Sequence, residues 1–361
     1  MYYNNERVTV MTNLKKSDSR NITIDFIRGV AILIVVFGHN IQYGLGIEFY
    51  NTQMFFDAFL FKLIYSFHMP LFALLSGYLF FRSMNKPAEK VLTKRLTSLL
   101  LPVLCWTILE YLVKISRQII SREFTSDYLL QSFVNRLVTN LWFLWAIFWC
   151  SLIVLLVEKV LNGSLLIYGL ILLAALFVPS RYNFHLYFFM YPYFTAGFLF
   201  NKLDGATQYR RLVKKDLYAL LVALAVFAFL FLFFNRNSYI YTTGIDLLGG
   251  RGIATQLDTD IYRWCIGFSG SIVVIVLCKM ICDKRQGAVI KGVAHFGQLS
   301  LGIYVLNQYV GSDLLVKLTG NFSPSVFIWV IETIISIPIY VVAVEVIKRI
   351  PLARKLLLGD R

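Results

Sequence analysis

The chain has little charge. Asp, Glu, Lys and Arg make up 15% of its 361 residues, against 58% hydrophobic ones, where soluble domains carry roughly 25% charged residues. A water-soluble enzyme is excluded, because the shortfall is concentrated in long uncharged blocks rather than spread along the chain. Histidine is scarce, with 4 in the whole sequence. No two of them have the i, i+4 spacing that puts paired ligands on one helix face, so no metal is expected. The 5 cysteines are odd in number and lie in or beside apolar segments, which reads as thiols buried in lipid rather than a secreted disulfide framework. No cleavable signal peptide is expected, since the first twenty residues are polar and basic and the first apolar run lacks a small-residue cleavage pattern. Acidic residues are the minority, 20 against 35 basic, for a net charge of +15. In a soluble protein that excess would point to nucleic acid. Here the basic residues fall in short loops between apolar runs, as membrane orientation requires, and no nucleic-acid partner is expected.

What is present is a series of apolar runs. A helix crosses the hydrocarbon core in about 20 residues, and ten windows of about that length follow one another: 22–43, 59–81, 96–114, 141–158, 165–179, 186–201, 217–234, 263–281, 297–315 and 325–347. The fifth and sixth are short, and one of them is expected to be tilted or broken. With the N-terminus inside, the inner segments hold 24 Lys and Arg and the outer segments 8, which fixes both termini in the cytoplasm. The expected architecture is therefore an all-α integral membrane protein of about ten transmembrane helices. A cytoplasmic tail (1–21) precedes a single polytopic domain (22–347), and a basic cytoplasmic tail (348–361) follows it. The outer loops 115–140 and 235–262 are the connections long enough to carry structure of their own.

Titratable groups inside a bilayer cost at least a few kcal/mol each and usually face a polar interior, which makes them functional candidates. Arg28 and His39 are eleven residues apart in the first run. At 100° per residue they project from one face, about 20° out of line and about 16 Å apart along the axis. Such a face suits a cation gripping an anionic ligand from the cytoplasm and an imidazole doing acid–base work near the ligand's other end. The alternative is an arginine snorkelling to the headgroups and a histidine bonding a neighbouring helix. In the second run, Phe67-His68-Met69-Pro70 is followed by Ser76-Gly77. Pro70 should open the helix near His68 and free carbonyls, and Ser76-Gly77 lets another backbone come close. Glu110, about 21 Å along the third helix, falls at a depth between His68 and His39 and is a candidate to orient an imidazole. Glu332 is a similar buried acid, with packing as the plainer role for each. Trp142 opens the fourth run, where an interfacial aromatic belongs. Lys86, Lys90, Lys94 and Arg95 form an inner basic loop, suited to anionic lipid or to a phosphate-bearing molecule from the cytosol.

These residues resemble a known family. Ile24 to His39, with arginine eleven positions before histidine, is similar to the first-helix signature of the membrane acyltransferase-3 family. Phe67-His68-Met69-Pro70-Leu71-Phe72 with Leu75-Ser76-Gly77-Tyr78 resembles its second-helix motif, especially in the polysaccharide and sugar O-acetyltransferase branches. Arg95 to Pro102 resembles the basic run opening its third helix, Trp142-Phe143-Leu144 its tryptophan motif, and Phe296 to Tyr304 its late Ser-Leu-x-x-Tyr helix. Two departures stand out. Asn307 and Gln308 follow Leu306 where the family pattern often reaches a histidine, and Ser98 and Leu99 replace a frequent second arginine.

The resemblance implies a multi-pass transferase of the cell membrane, in a bacterium the cytoplasmic membrane. It would take an acyl group, usually acetyl, from cytosolic acetyl-CoA and place it on a hydroxyl of a cell-surface glycan or its lipid-linked sugar precursor. It assigns Arg28, Arg95 and Lys94 to the donor, His39 to general base with His68 and Glu110 beside it, and Trp142, Ser76 and Glu332 to the acceptor. Two rivals remain from the residues alone. A polytopic transporter or flippase also uses intramembrane charges and bent helices, and a noncatalytic scaffold or sensor would need neither Arg28 nor His39 beyond stability.

Overall fold

The computed structural model describes residues 21–44, 50–122, 129–178, 181–204, 216–243, 252–284, 287–311 and 325–359. Among the described residues the regular structure is entirely helical. The first helix, α1 (Ile22–Tyr43), begins where Asn21 accepts hydrogen bonds from the backbone of Thr23 and Ile24 at 3.0 and 3.4 Å. Asp25 adds a negative charge to its first turn. The second run divides into α2 (Phe59–Tyr65) and α3 (His68–Phe80). The break at Ser66–Phe67 lies where the Pro70 ring would collide with the Ser66 carbonyl of an unbroken helix. A helix α4 (Ala88–Arg95) passes through a π turn (Leu96–Leu100) into α5 (Leu101–Ile120), Pro102 lacking the N–H that an α-helix would send back to Ser98.

Beyond them come α6 (Leu129–Thr139), α7 (Trp142–Val160), α8 (Leu165–Ala175), α9 (Phe184–Asp204) and α10 (Asp216–Phe231). The short α11 (Ile240–Thr243) precedes the long α12 (Ile253–Lys284). A kinked pair follows, α13 (Ala288–Gln298) and α14 (Ser300–Leu306) with a π turn at Asn307–Gly311, and then α15 (Val326–Arg349) and α16 (Pro351–Leu358).

Among the described residues six helical stretches are long and apolar enough to cross a membrane, and a seventh is the α13–α14 pair, bent by 63°. The bounds of the ten expected windows shift in several places. The eighth begins ten residues earlier, with α12 at Ile253, and the ninth begins at Ala288 and breaks at Leu299. α8 and α10 are too short to pass the same test, and α9 carries Pro192 within its length. The 115–140 loop is largely helical, taken up by the end of α5 and by α6.

Two glycine pairs bring helices into backbone contact. Gly29 of α1 lies against the Val293 carbonyl of α13, and Gly297 against the Asp25 carbonyl. Gly77 of α3 meets the Phe194 carbonyl of α9, and Gly197 the Leu74 carbonyl. A Cβ at any of these positions would overlap the opposing carbonyl, so α1–α13 and α3–α9 are fixed at close range. The basic C-terminal segment packs as structure: Trp106 donates from Nε1 to the Leu357 carbonyl at 2.9 Å, and Gly359, at φ +62°, ends α16 against the Ser98 backbone. The N-terminal tail, residues 1–20, lies outside the described residues.

Candidate active site

α1, α3, the α4–α5 junction, α7 and α14 enclose a cavity of about 260 Å³. Its wall is mostly apolar, with Ile32, Val35, Met69, Phe72 and Leu144 among the lining side chains, and its charged lining residues are two arginines, Arg28 and Arg95. Ser76, Ser98, Ser300 and Tyr304 add hydroxyls. The Arg28 guanidinium donates to Ser300 Oγ at 2.8 Å and stands 4.0 Å from Asp25, whose other oxygen accepts from Gln298 at 3.3 Å. The break at Leu299 therefore serves the site, because it carries Gln298 and Ser300 onto the Asp25–Arg28 turn. Arg95 lies over the Phe80 ring, its guanidinium carbon 4.4 Å from the centroid, a contact that orients the cation without neutralising it. Two cations on an apolar wall make a site for an elongated anion, charged at one end and greasy along its length.

Along α1 the cavity follows Arg28, Ile32 and Val35. His39 is the next residue on that stripe, one turn beyond Val35, or about 6 Å. On α3 the lining begins at Met69, directly after His68. Of the two residues expected to see one groove, Arg28 lines this cavity, whereas His39, like His68, is not among its lining residues.

The imidazoles meet instead across Tyr65. The Tyr65 ring lies 4.5 Å from His68 and 6.5 Å, edge-on, from His39, centroid to centroid. Gly38 makes this possible, since a Cβ there would come within 3.0 Å of Tyr65 Cε2. At the helix break the Ile64 carbonyl, which accepts from the Phe67 backbone at 3.2 Å, also meets His68 Nδ1, 2.9 Å away. A carbonyl can only accept, so Nδ1 carries the proton and Nε2 of the neutral ring holds the lone pair. His39 Nδ1 is 3.3 Å from Gln42 Oε1, and its ring stacks on Tyr43 at 5.8 Å. Trp142 packs edge-on against Tyr241 at 6.0 Å, and Tyr241 against Tyr65 at 5.9 Å. Trp142 thus belongs to the aromatic rim of the histidine pair.

A family model described as an acyltransferase domain matches residues 21–346. The chain belongs to the acyltransferase-3 family. Among curated proteins it is 31% identical over 311 residues to nodulation protein NolL of Sinorhizobium fredii, covering 81% of this chain and 79% of that one. It is 30% identical over 227 residues to nodulation protein NolL of Mesorhizobium japonicum, covering 62% and 59%. No solved structure matches.

Three of this acyltransferase's expected site residues stand elsewhere than the sequence placed them. Glu110 faces Arg136, with Nε at 2.9 and 3.2 Å from its oxygens, while the Nδ1 partners of the two imidazoles are Gln42 and the Ile64 carbonyl. α6, which supplies Arg136, was not foreseen as a helix. Glu332 lies over Gly44 on the α1 face where Asn40 bonds Thr333 at 2.8 Å. That face is turned roughly 100° from His39, so Glu332 shares its level but not its side. Lys94 is exposed on the turn before Arg95 and does not line the cavity. Ser76 does. The residues that sequence reasoning missed are Gln42, Tyr65, Tyr241 and Asp25. Their signal was faint: Gln42 lies three residues after His39 and Tyr65 three before His68, both within one helical turn.

Proposed function

We propose that this acyltransferase moves an acetyl group from cytosolic acetyl-CoA to a hydroxyl of a cell-surface glycan or its lipid-linked precursor, with His39 as general base. The reading takes the chain to be a multi-pass protein of the cell membrane, in bacteria the cytoplasmic one, with ten crossings and both termini inside. The observation that carries it is the Arg28–Arg95 cavity, which runs up the α1 stripe and stops one turn short of His39. Arg28 and Arg95 hold the phosphates of the donor, and the uncharged arm lies along Ile32, Val35 and Met69 towards the histidines.

A sugar hydroxyl gives up its proton reluctantly at neutral pH. A positioned base that takes it during attack is worth about 10² to 10⁴ in rate. His39 Nε2 removes the hydroxyl proton as the oxygen bonds to the thioester carbonyl carbon. The carbon–sulfur bond then breaks, and the departing CoA sulfur recovers the proton from the imidazolium. Because His68 donates from Nδ1 to Ile64, its neutral Nε2 can accept from the acceptor hydroxyl but has no proton to offer an oxyanion, which favours an orienting role. The aromatic rim of Tyr43, Tyr241 and Trp142 offers flat apolar faces to an acceptor.

The test is thiol release from acetyl-CoA by purified protein. Wild type releases free CoA slowly to water and faster with acceptor, and His39→Ala at equal expression loses at least about 100-fold of this rate. Full activity in His39→Ala removes His39 as the base. The transporter reading draws on the broken α13–α14 span, and it predicts no thiol release at all.

A further inference from the structure

Which nitrogen of an imidazole can take a proton is set by the hydrogen bond the other one makes. At His39 that bond comes from a neutral pair. Tyr65 Oη donates to Gln42 Oε1 at 3.1 Å, and the same oxygen faces His39 Nδ1 at 3.3 Å. An amide oxygen has two lone pairs, enough for both donors. Tyr65 is itself fixed, stacked on Phe61 at 3.7 Å and seated in the space left by Gly38.

We propose that Gln42 and Tyr65 are positioning residues for His39: together they hold the proton on Nδ1 and leave the lone pair on Nε2, the nitrogen that must remove a proton from the acceptor hydroxyl. The assignment rests on the acyl-transfer reading above and names two residues of that site. Tyr65 commits one lone pair of Oε1, so the amide presents oxygen rather than NH₂ to the ring. When Nε2 takes the hydroxyl proton, the ring becomes an imidazolium whose Nδ1–H still donates to Oε1, and passing that proton to the CoA sulfur restores the starting tautomer. A carboxylate in place of Gln42 would orient the ring equally well. It would also add a charge within the membrane and favour the protonated imidazole, which cannot act as a base. The amide gives orientation without that effect.

The experiment is ¹⁵N spectroscopy of histidine-labelled full-length protein in lipid nanodiscs, with His39→Gln identifying the His39 signals, run beside acetyl-CoA kinetics. Wild type is expected to show His39 protonated at Nδ1 and bare at Nε2. Gln42→Met keeps the length but removes the acceptor. It should mix the tautomers and lower kcat about 10- to 100-fold, with the KM for acetyl-CoA unchanged within about twofold because the arginines are untouched. Tyr65→Phe should do the same more weakly. The wild-type spectrum decides even where a variant fails to fold: a proton on Nε2 overturns the proposal while leaving acyl transfer standing. Unaltered His39 signals and kcat in both variants also overturn it. Absence of thiol release from wild type sinks the acyl-transfer reading, and the catalytic role assigned here with it, whatever the spectrum shows.

Discussion

Arginine at position 28 does something lysine could not. Its fork reaches Ser300 Oγ at 2.8 Å while another of its nitrogens stands 4.0 Å from Asp25, so the planar group is aimed before a ligand arrives. A lysine would keep the charge and lose the second direction. Arg28→Lys is expected to raise the KM for acetyl-CoA about tenfold with kcat nearly unchanged. Arg28→Ala should raise it about 10- to 150-fold, the equivalent of one charge-assisted hydrogen bond at about 1.5–3 kcal/mol. Initial-rate measurements of thiol release across donor concentration check both, and an effect on kcat alone would place Arg28 outside donor binding. Arg28 was legible because a charge inside an apolar run is costly unless it faces a polar interior, and Arg95 because it closes the basic run before the third apolar window. Gln42 and Tyr65 were not, because a neutral side chain in a helix carries no comparable penalty and their importance lies in what they touch.

At the scale of an element, the α2–α3 break shows how one residue's covalent geometry reaches the chemistry. Pro70 stops α2 and α3 from fusing, at the break the Ile64 carbonyl meets the His68 ring, and that bond sets the ring's tautomer. In Pro70→Ala the helix can run through, and the His68 backbone N–H then competes for the Ile64 carbonyl as an ordinary i→i−4 bond. The expected result is a fall in kcat of about tenfold with thermal stability equal or higher, since proline inside a helix costs about 3 kcal/mol. A lower melting temperature would mean that the break is needed for packing. This break could be anticipated because proline announces itself. The one at Leu299 was not, because Gly297 and Ser300 beside it are also ordinary residues of packed membrane helices. It follows from Gly297 pressing on the Asp25 carbonyl and from Ser300 bonding Arg28, contacts between segments some 270 residues apart.

At the scale of the molecule, one buried cation joins three parts of the chain. Arg263 of α12 is 2% exposed. It pairs with Asp260 at 3.2 Å and donates to the carbonyls of Asn237, Ser238 and Tyr239 at 2.7, 3.1 and 3.3 Å. Its own carbonyl accepts from Tyr193 of α9 at 3.1 Å. Through the 237–239 backbone this cluster sets the segment that ends at Tyr241, the ring lying between Trp142 and Tyr65. A count of basic residues registers the sign of Arg263 and not its partners. Arg263→Gln leaves Asp260 buried without its cation and strips the carbonyls of donors, a loss of about 3–5 kcal/mol. The melting temperature of the purified protein should fall by several degrees. The kinetic consequence is selective. In the proposed reaction donor binding falls to Arg28 and Arg95, which Arg263 does not touch, whereas the aromatic rim includes Tyr241. Transfer to an acceptor should therefore fall more than hydrolysis of acetyl-CoA by water, measured side by side at a temperature where the variant is folded. Equal losses in the two rates would mean that the cluster supports the fold alone.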